Sequence, residues 1–153
     1  MRRVPTMIAA VTEADLPDLL PLMRAYCNFY EVYPADGELL AMSQALIADP
    51  QREGIQLIAR DDAGTAIGFA TIFWTWSTLS ASRIAVMNDL FVTPAARGRG
   101  TANALIDACL EHARHHGASS LAWQTARDNT RARALYEGIG ARREEWIDYS
   151  LET

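Results

Sequence analysis

Arg97, Gly98, Arg99 and Gly100 stand between an apolar stretch ending in Leu90-Phe91-Val92 and a helix-forming stretch that opens at Thr101-Ala102. A helix start presents unpaired backbone N–H groups and about half a positive charge, and glycine admits an anion to the backbone with no Cβ in the way. Two arginines add charge at the same place, so the junction suits a phosphorylated ligand, a diphosphate above all. Dinucleotide folds, P-loops and plain tight turns all use such loops. A P-loop needs Gly-Lys-Ser/Thr, whereas Gly100 is followed by Thr101-Ala102, and a dinucleotide fold sets its loop after the first strand rather than mid-chain. A tight turn with two solvated arginines is the plain alternative.

The elements that must position this loop follow from the hydrophobic pattern. Residues 7–11 read as a short strand, and Thr12 with Asp15 three residues on signals a helix start before Leu16, Leu19, Leu20 and Met23 at helical spacing. Residues 26–36 read as aromatic and irregular, and a second helix runs through Leu39, Leu40, Met42 and Leu46 to about Ala48. Residues 54–60 and 66–76 are β-branched or aromatic, and Asp61-Asp62-Ala63-Gly64-Thr65 supplies hairpin turn chemistry between them. In the strand of residues 83–92, strict alternation puts Ile84, Val86, Leu90 and Val92 on one face and Met87, Asp89 and Phe91 on the other.

After the basic loop, Ala102, Leu105, Ile106, Cys109, Leu110 and Ala113 form a helical apolar stripe that Gly117 can end. Residues 121–125 read as a strand, Asp128 or Asn129 can cap a helix through Tyr136, and residues 146–151 read as a closing strand.

The chain has 153 residues, half of them hydrophobic, which fits one compact domain. Its net charge of -5 argues against nonspecific binding to nucleic acid or membrane and favours a cationic partner such as an amine. Cys27 and Cys109 are too few and too far apart for a disulfide framework or a zinc site. His112, His115 and His116 have helical spacing but no carboxylate to complete a metal site, so no metal is expected. Arg2 and Arg3 precede an apolar run too short for a signal sequence, and no stretch is long enough to span a bilayer; a cytoplasmic protein is the expectation.

The run Arg97-Gly98-Arg99-Gly100-Thr101-Ala102 resembles the Arg/Gln-x-x-Gly-x-Gly/Ala motif of the GCN5-related N-acetyltransferases. The strand before it, the helix after it, the strand near residue 121 and the segment from Asn129 to Ala141 resemble that family in order and spacing. The resemblance implies a single α/β domain over residues 1–153, with a mixed, mostly antiparallel central sheet, splayed central strands and flanking helices. It implies acetyl-CoA as cosubstrate and acetyl transfer to an amine without a metal.

Carried over by position, the pyrophosphate falls to the amides of Gly98, Gly100, Thr101 and Ala102 with Arg97 and Arg99, and the pantetheine arm to the backbone of Leu90, Phe91 and Val92. Asn129 matches an asparagine that contacts this arm, and it can equally cap a helix. Tyr136 matches a tyrosine that protonates the leaving thiolate; a core aromatic is its plain reading. Polyamine acetyltransferases resemble Glu-Asp where this chain has Asn88-Asp89, which puts polyamine specificity in doubt. Asp89 is the expected site of amine binding or water-relayed deprotonation, or else a structural carboxylate.

The acceptor pocket of such folds points to Phe29, Tyr30, Glu31, Tyr33, Trp74 and Trp76, an aromatic set with one carboxylate that suits a cation, unless these are core or interface residues. A small-molecule amine is the favoured acceptor. A peptide, protein or amino-acid acetyltransferase is the rival enzyme, an acyl-CoA-binding regulatory domain the rival outside enzymes, and a homodimer the expected assembly.

Overall fold

A computed structural model describes residues 6–153, so Arg2 and Arg3 lie outside the described residues. The chain divides after Trp123 into two compact units. The first holds β1 (Met7–Ala10), α1 (Leu16–Phe29), α2 (Asp36–Ala48), β2 (Gly54–Arg60), β3 (Ala66–Ser77), β4 (Ser82–Val92), α3 (Thr101–His115) and β5 (Leu121–Ala122). The second holds α4 (Thr130–Gly138).

The sheet runs β1-β2-β3-β4-β5 in chain order, antiparallel throughout except for the parallel β4–β5 pair. The β2–β3 hairpin forms where its turn chemistry places it. Gly64 takes the left-handed φ of 80° that closes the turn, and Asp61 Oδ1 accepts the backbone N–H of Ala63 at 3.0 Å and of Thr65 at 2.9 Å. The β4–β5 ladder covers only Ala85↔Leu121 and Val86↔Ala122. Beyond Val86, the edge of β4 facing β5 has no ladder to it, which is the splay expected of the central strands.

Each face of the sheet is covered by helix. Leu16, Leu19, Leu22 and Met23 of α1 join Leu39 of α2, Ile58, Phe69 and Phe91 in one buried cluster. Leu105, Ile106, Cys109 and Ala113 bury the apolar stripe of α3 against β3 and β4 on the opposite face. A Cβ on Gly68 would lie 2.7 Å from the Phe91 carbonyl oxygen and 3.3 Å from Leu105 Cδ1, so this β3 position is glycine because strand and helix leave it no room. Arg60 donates to Asp15 and Asp18 at 2.8 Å each and ties β2 to the start of α1.

Three expectations are corrected. Tyr26 to Phe29 belong to α1, because Cys27 extends its buried stripe and the chain turns only at Tyr30. The strand expected over residues 121–125 stops at Ala122. Residues 146–151 form no strand: Trp146, Ile147, Tyr149 and Leu151 are exposed. Apolar and aromatic residues suit a strand, but a strand needs a backbone partner. In the second unit, side chains join residues 124–127 to 145–148 instead, through Gln124 Nε2 donating to Asp148 at 2.9 and 3.0 Å and an Arg127–Glu145 pair at 3.6 Å.

Candidate active site

The β3–β4 register places Asp89 opposite Thr71 and Met87 opposite Ile72, which leaves Asn88 as an extra residue in β4. That residue is a β-bulge. Thr71 and Ile72 are neighbours in β3 and point to opposite faces, so their partners do too. The expected grouping of Met87 with Asp89 and Phe91 is therefore wrong. Asp89 and Phe91 face α1, while Met87 faces α3. The grouping of Ile84 and Val86 with Leu90 and Val92 is corrected for the same reason.

By this shift the bulge puts a carboxylate into an apolar face. Asp89 is 8% exposed, with Thr71 and Gln56, 0% and 3% exposed, beside it on the same side of the sheet. Asn88 Nδ2 donates to Asp89 Oδ1 at 3.0 Å, and Gln56 Nε2 donates to Thr71 Oγ1 at 3.1 Å, which frees the Thr71 proton for the carboxylate. Burial pushes the Asp89 carboxyl above the ordinary value for a carboxylate. Donors on Thr71, Asn88 and Tyr26 oppose the rise without cancelling it. A buried carboxylate with raised proton affinity is a better proton acceptor than an exposed one.

The loop after β4 begins with a short 3-10 turn, Pro94–Ala96, and then passes through two left-handed glycines, Gly98 at φ 77° and Gly100 at φ 86°. Gly100 is the N-cap of α3, and no side chain caps that end. The first-turn amides of α3 thus keep the donor capacity an anion requires. A Cβ on Gly98 would meet nothing within 4 Å, so conformation, not crowding, demands glycine there. Thr101 is buried, and Arg99 and Gly98 are exposed. Arg97 donates from Nε to the Val92 carbonyl at 3.1 Å, which folds its side chain back onto the end of β4.

The aromatic residues divide into two groups. Phe29 and Tyr30 meet edge to face at 5.0 Å, Tyr30 meets Tyr26 at 5.1 Å, and Tyr26 reaches Phe69 and Phe91 at 5.8 and 6.3 Å. Tyr33 and Glu31 are exposed in the turn that follows, and Glu31 has a left-handed φ of 56°. Trp74 and Trp76 are not part of this group. They alternate with the α1-facing residues of β3 and so face the α3 side. There Trp74 stacks on His116 at 4.0 Å and donates Nε1 to the Pro50 carbonyl at 2.8 Å, and Trp76 lies under Arg83 at 5.1 Å.

In the second unit, Asn129 is the N-cap of α4, with Oδ1 accepting the Ala132 N–H at 3.3 Å, and Tyr136 lies two turns along the same helix. Among the described residues no group of three or more His, Cys, Asp or Glu side chains could hold a metal ion, and no helix is long and apolar enough to cross a membrane.

Pattern reading missed Tyr26, Thr71 and Gln56. The available signal was a glutamine and a threonine within two largely apolar strands, together with a tyrosine three places beyond Met23, the last stripe position assigned to α1.

A five-stranded mixed sheet with a short parallel pair, a bulged strand and an uncapped glycine-led helix define an acetyltransferase fold. Residues 19–141 match the Acetyltransferase (GNAT) family, and the chain belongs to it as an N-acetyltransferase. The chain is 35% identical over 131 residues to the uncharacterized N-acetyltransferase YhfO of Bacillus subtilis (strain 168), covering 83% of each chain. It is 31% identical over 135 residues to the D-amino-acid N-acetyltransferase HPA3 of Saccharomyces cerevisiae, covering 87% of this chain and 83% of that one. A crystal structure of a probable acetyltransferase superposes with a TM-score of 0.83 at 26% identity, covering 96% of this chain and 97% of the other.

Proposed function

We propose that this N-acetyltransferase moves the acetyl group of acetyl-CoA to the primary amine of a small molecule by direct attack, with residues 1–153 acting as one catalytic domain. The observation that carries the reading is the buried carboxylate of Asp89, whose raised proton affinity suits it to take a proton from an ammonium group through water. The edge-packed Phe29, Tyr30 and Tyr26 beside the same face favour a cation. The amino-acid acetyltransferase among the relatives adds support for a small acceptor.

The uncapped start of α3 with Gly98, Arg99, Gly100, Thr101 and Ala102 fits the CoA diphosphate, and the β4 edge at Leu90, Phe91 and Val92 fits an extended pantetheine arm. In the reaction the neutral amine attacks the thioester carbonyl and forms the new C–N bond. A backbone N–H of residues 90–92 stabilises the oxyanion, the C–S bond breaks as Tyr136 protonates the departing thiolate, and the proton shed by the attacking nitrogen restores the phenol. Asn129 contributes to holding the pantetheine arm. We read the enzyme as cytoplasmic and homodimeric, and light scattering tests the assembly.

A thiol-release assay over a panel of small amines, amino acids and peptides decides the acceptor. Turnover is expected with small amines or amino acids. Turnover with peptides alone would overturn the small-molecule assignment.

A further inference from the structure

We propose that Tyr26 is a positioning residue that aligns the Asp89 carboxylate of the β4 bulge through its phenol. The proposal rests on the reading of Asp89 as the base and names a residue that neither the motifs nor the comparisons assign. The Tyr26 ring is held on edge by Tyr30, Phe69 and Phe91, so its hydroxyl has little freedom in direction. That hydroxyl meets the bulge 3.4 Å from the Asn88 carbonyl oxygen, beside the carboxylate of the next residue, Asp89.

The phenol proton thus has two acceptors beside it, the Asn88 carbonyl and the Asp89 carboxylate. An ionised carboxylate is the stronger acceptor, since a charge-assisted hydrogen bond is roughly twice as strong as a neutral one. When Asp89 takes a proton, the phenol can turn to the Asn88 carbonyl, and when Asp89 gives it up the phenol returns. The hydroxyl therefore favours the ionised state and fixes where the carboxylate points in it. Tyr26 stays a donor throughout, because burial and the neighbouring Asp89 hold its own ionisation far above the ordinary phenol range.

The titratable groups facing this pair are few. Asp89 faces Tyr26 from β4, and Tyr30 and Cys27 flank Tyr26 on α1. Facing Asp89, β3 contributes the neutral Thr71, and the bulge contributes Asn88. Gln56 of β2 stands behind Thr71, with Oε1 unpartnered and Nε2 donating to Thr71 Oγ1 and to Met23 Sδ.

The test is a carbon-13 titration of aspartate side-chain carboxyls in the full chain, with the Asp89 resonance identified by its loss in Asp89→Asn. Tyr26→Phe keeps the ring and removes the hydroxyl. It is expected to raise the Asp89 midpoint by about one pH unit, because the lost bond favoured the ionised form. The acidic limb of kcat/KM should rise with it while KM for acetyl-CoA stays unchanged. Thr71→Val, which removes a different donor, should raise the midpoint independently and guards against a Tyr26 variant that folds poorly. An Asp89 midpoint in Tyr26→Phe equal to that of the wild type overturns the proposal. A midpoint that moves while the acidic limb stays fixed supports Tyr26 as the positioning residue and removes Asp89 from the base role.

Discussion

Asn129 is the residue at which a structural role and a cofactor role can be separated. Its Oδ1 accepts the N–H of Ala132 at 3.3 Å, the third residue of a helix of nine. That length is just beyond the usual N–H···O range, so the cap belongs in the lower half of what such caps contribute, about 0.5–1 kcal/mol. An isolated helix of this length is marginal in water, so the loss should appear as local opening of α4. The Ala132 amide should then exchange about two- to fivefold faster in Asn129→Ala. Asn129→Asp keeps an acceptor of equal capping strength but removes the amide donor, so it should exchange like the wild type. If the side chain also donates to the pantetheine arm, KM for acetyl-CoA should rise in both variants.

Hydrogen exchange read at Ala132, together with initial rates at varied acetyl-CoA, makes both comparisons. Wild-type exchange in Asn129→Ala would refute the cap. An unchanged acetyl-CoA KM in Asn129→Asp would refute the cofactor contact and leave the cap as the residue's role.

Three further expectations follow from other parts of the chain. Tyr136→Phe should lower kcat far more than it raises the acetyl-CoA KM, and unchanged turnover in steady-state rates would remove its acid role. Gly68→Ala should destabilise the first unit by about 1–3 kcal/mol, because its Cβ would fall 2.7 Å from a backbone oxygen that cannot swing aside. Thermal melting should register this as a loss of about 2–4 °C per kcal/mol. Asp15 is held below its ordinary pKa first by the Thr12 backbone N–H, then by Arg60 and the Thr12 hydroxyl, against the effect of burial. A lowered folded pKa gives stability that is present above the unfolded value of 3.8 and lost as pH falls through the folded one. Denaturant melts of Asp15→Asn should therefore show a shallower loss of stability below pH 3.8 than the wild type.

The hairpin, α3 and its terminator were legible in the sequence because each rests on local chemistry. Asp61 and Gly64 make their turn with neighbours at most four residues away, and Gly117 takes the left-handed φ of 82° after the last turn of α3. The loop from Arg97 to Gly100 was legible for the same reason. The bulge was not, because residues 83–92 alternate as well without it as with it, and only the partner strand shows which residue is extra. Tyr26 was hidden by the same kind of distance, since the groups its hydroxyl meets lie on β4, 62 residues away. Trp74 and Trp76 were grouped with Phe29 and Tyr30 by residue type, but strand alternation turns them to the opposite face. The expected strand near Trp146 failed because apolar composition describes a segment able to pair and says nothing of whether an edge is offered to it.

The extra residue in β4 also decides which changes of length this strand can survive. Removing Asn88 would leave a regular ladder in which Met87 still pairs with Ile72 and Asp89 with Thr71, so no side chain would change sides of the sheet. What the deletion would remove is the Asn88 amide that donates to Asp89 Oδ1 at 3.0 Å, whereas an insertion in the regular part of β4 would turn every side chain on one side of it to the other face. The reading frame of the strand, and not only its letters, is under constraint. Changes of length should therefore collect in the exposed hairpin tip near Leu79 and in the turn after Tyr30, where no alternation depends on the count.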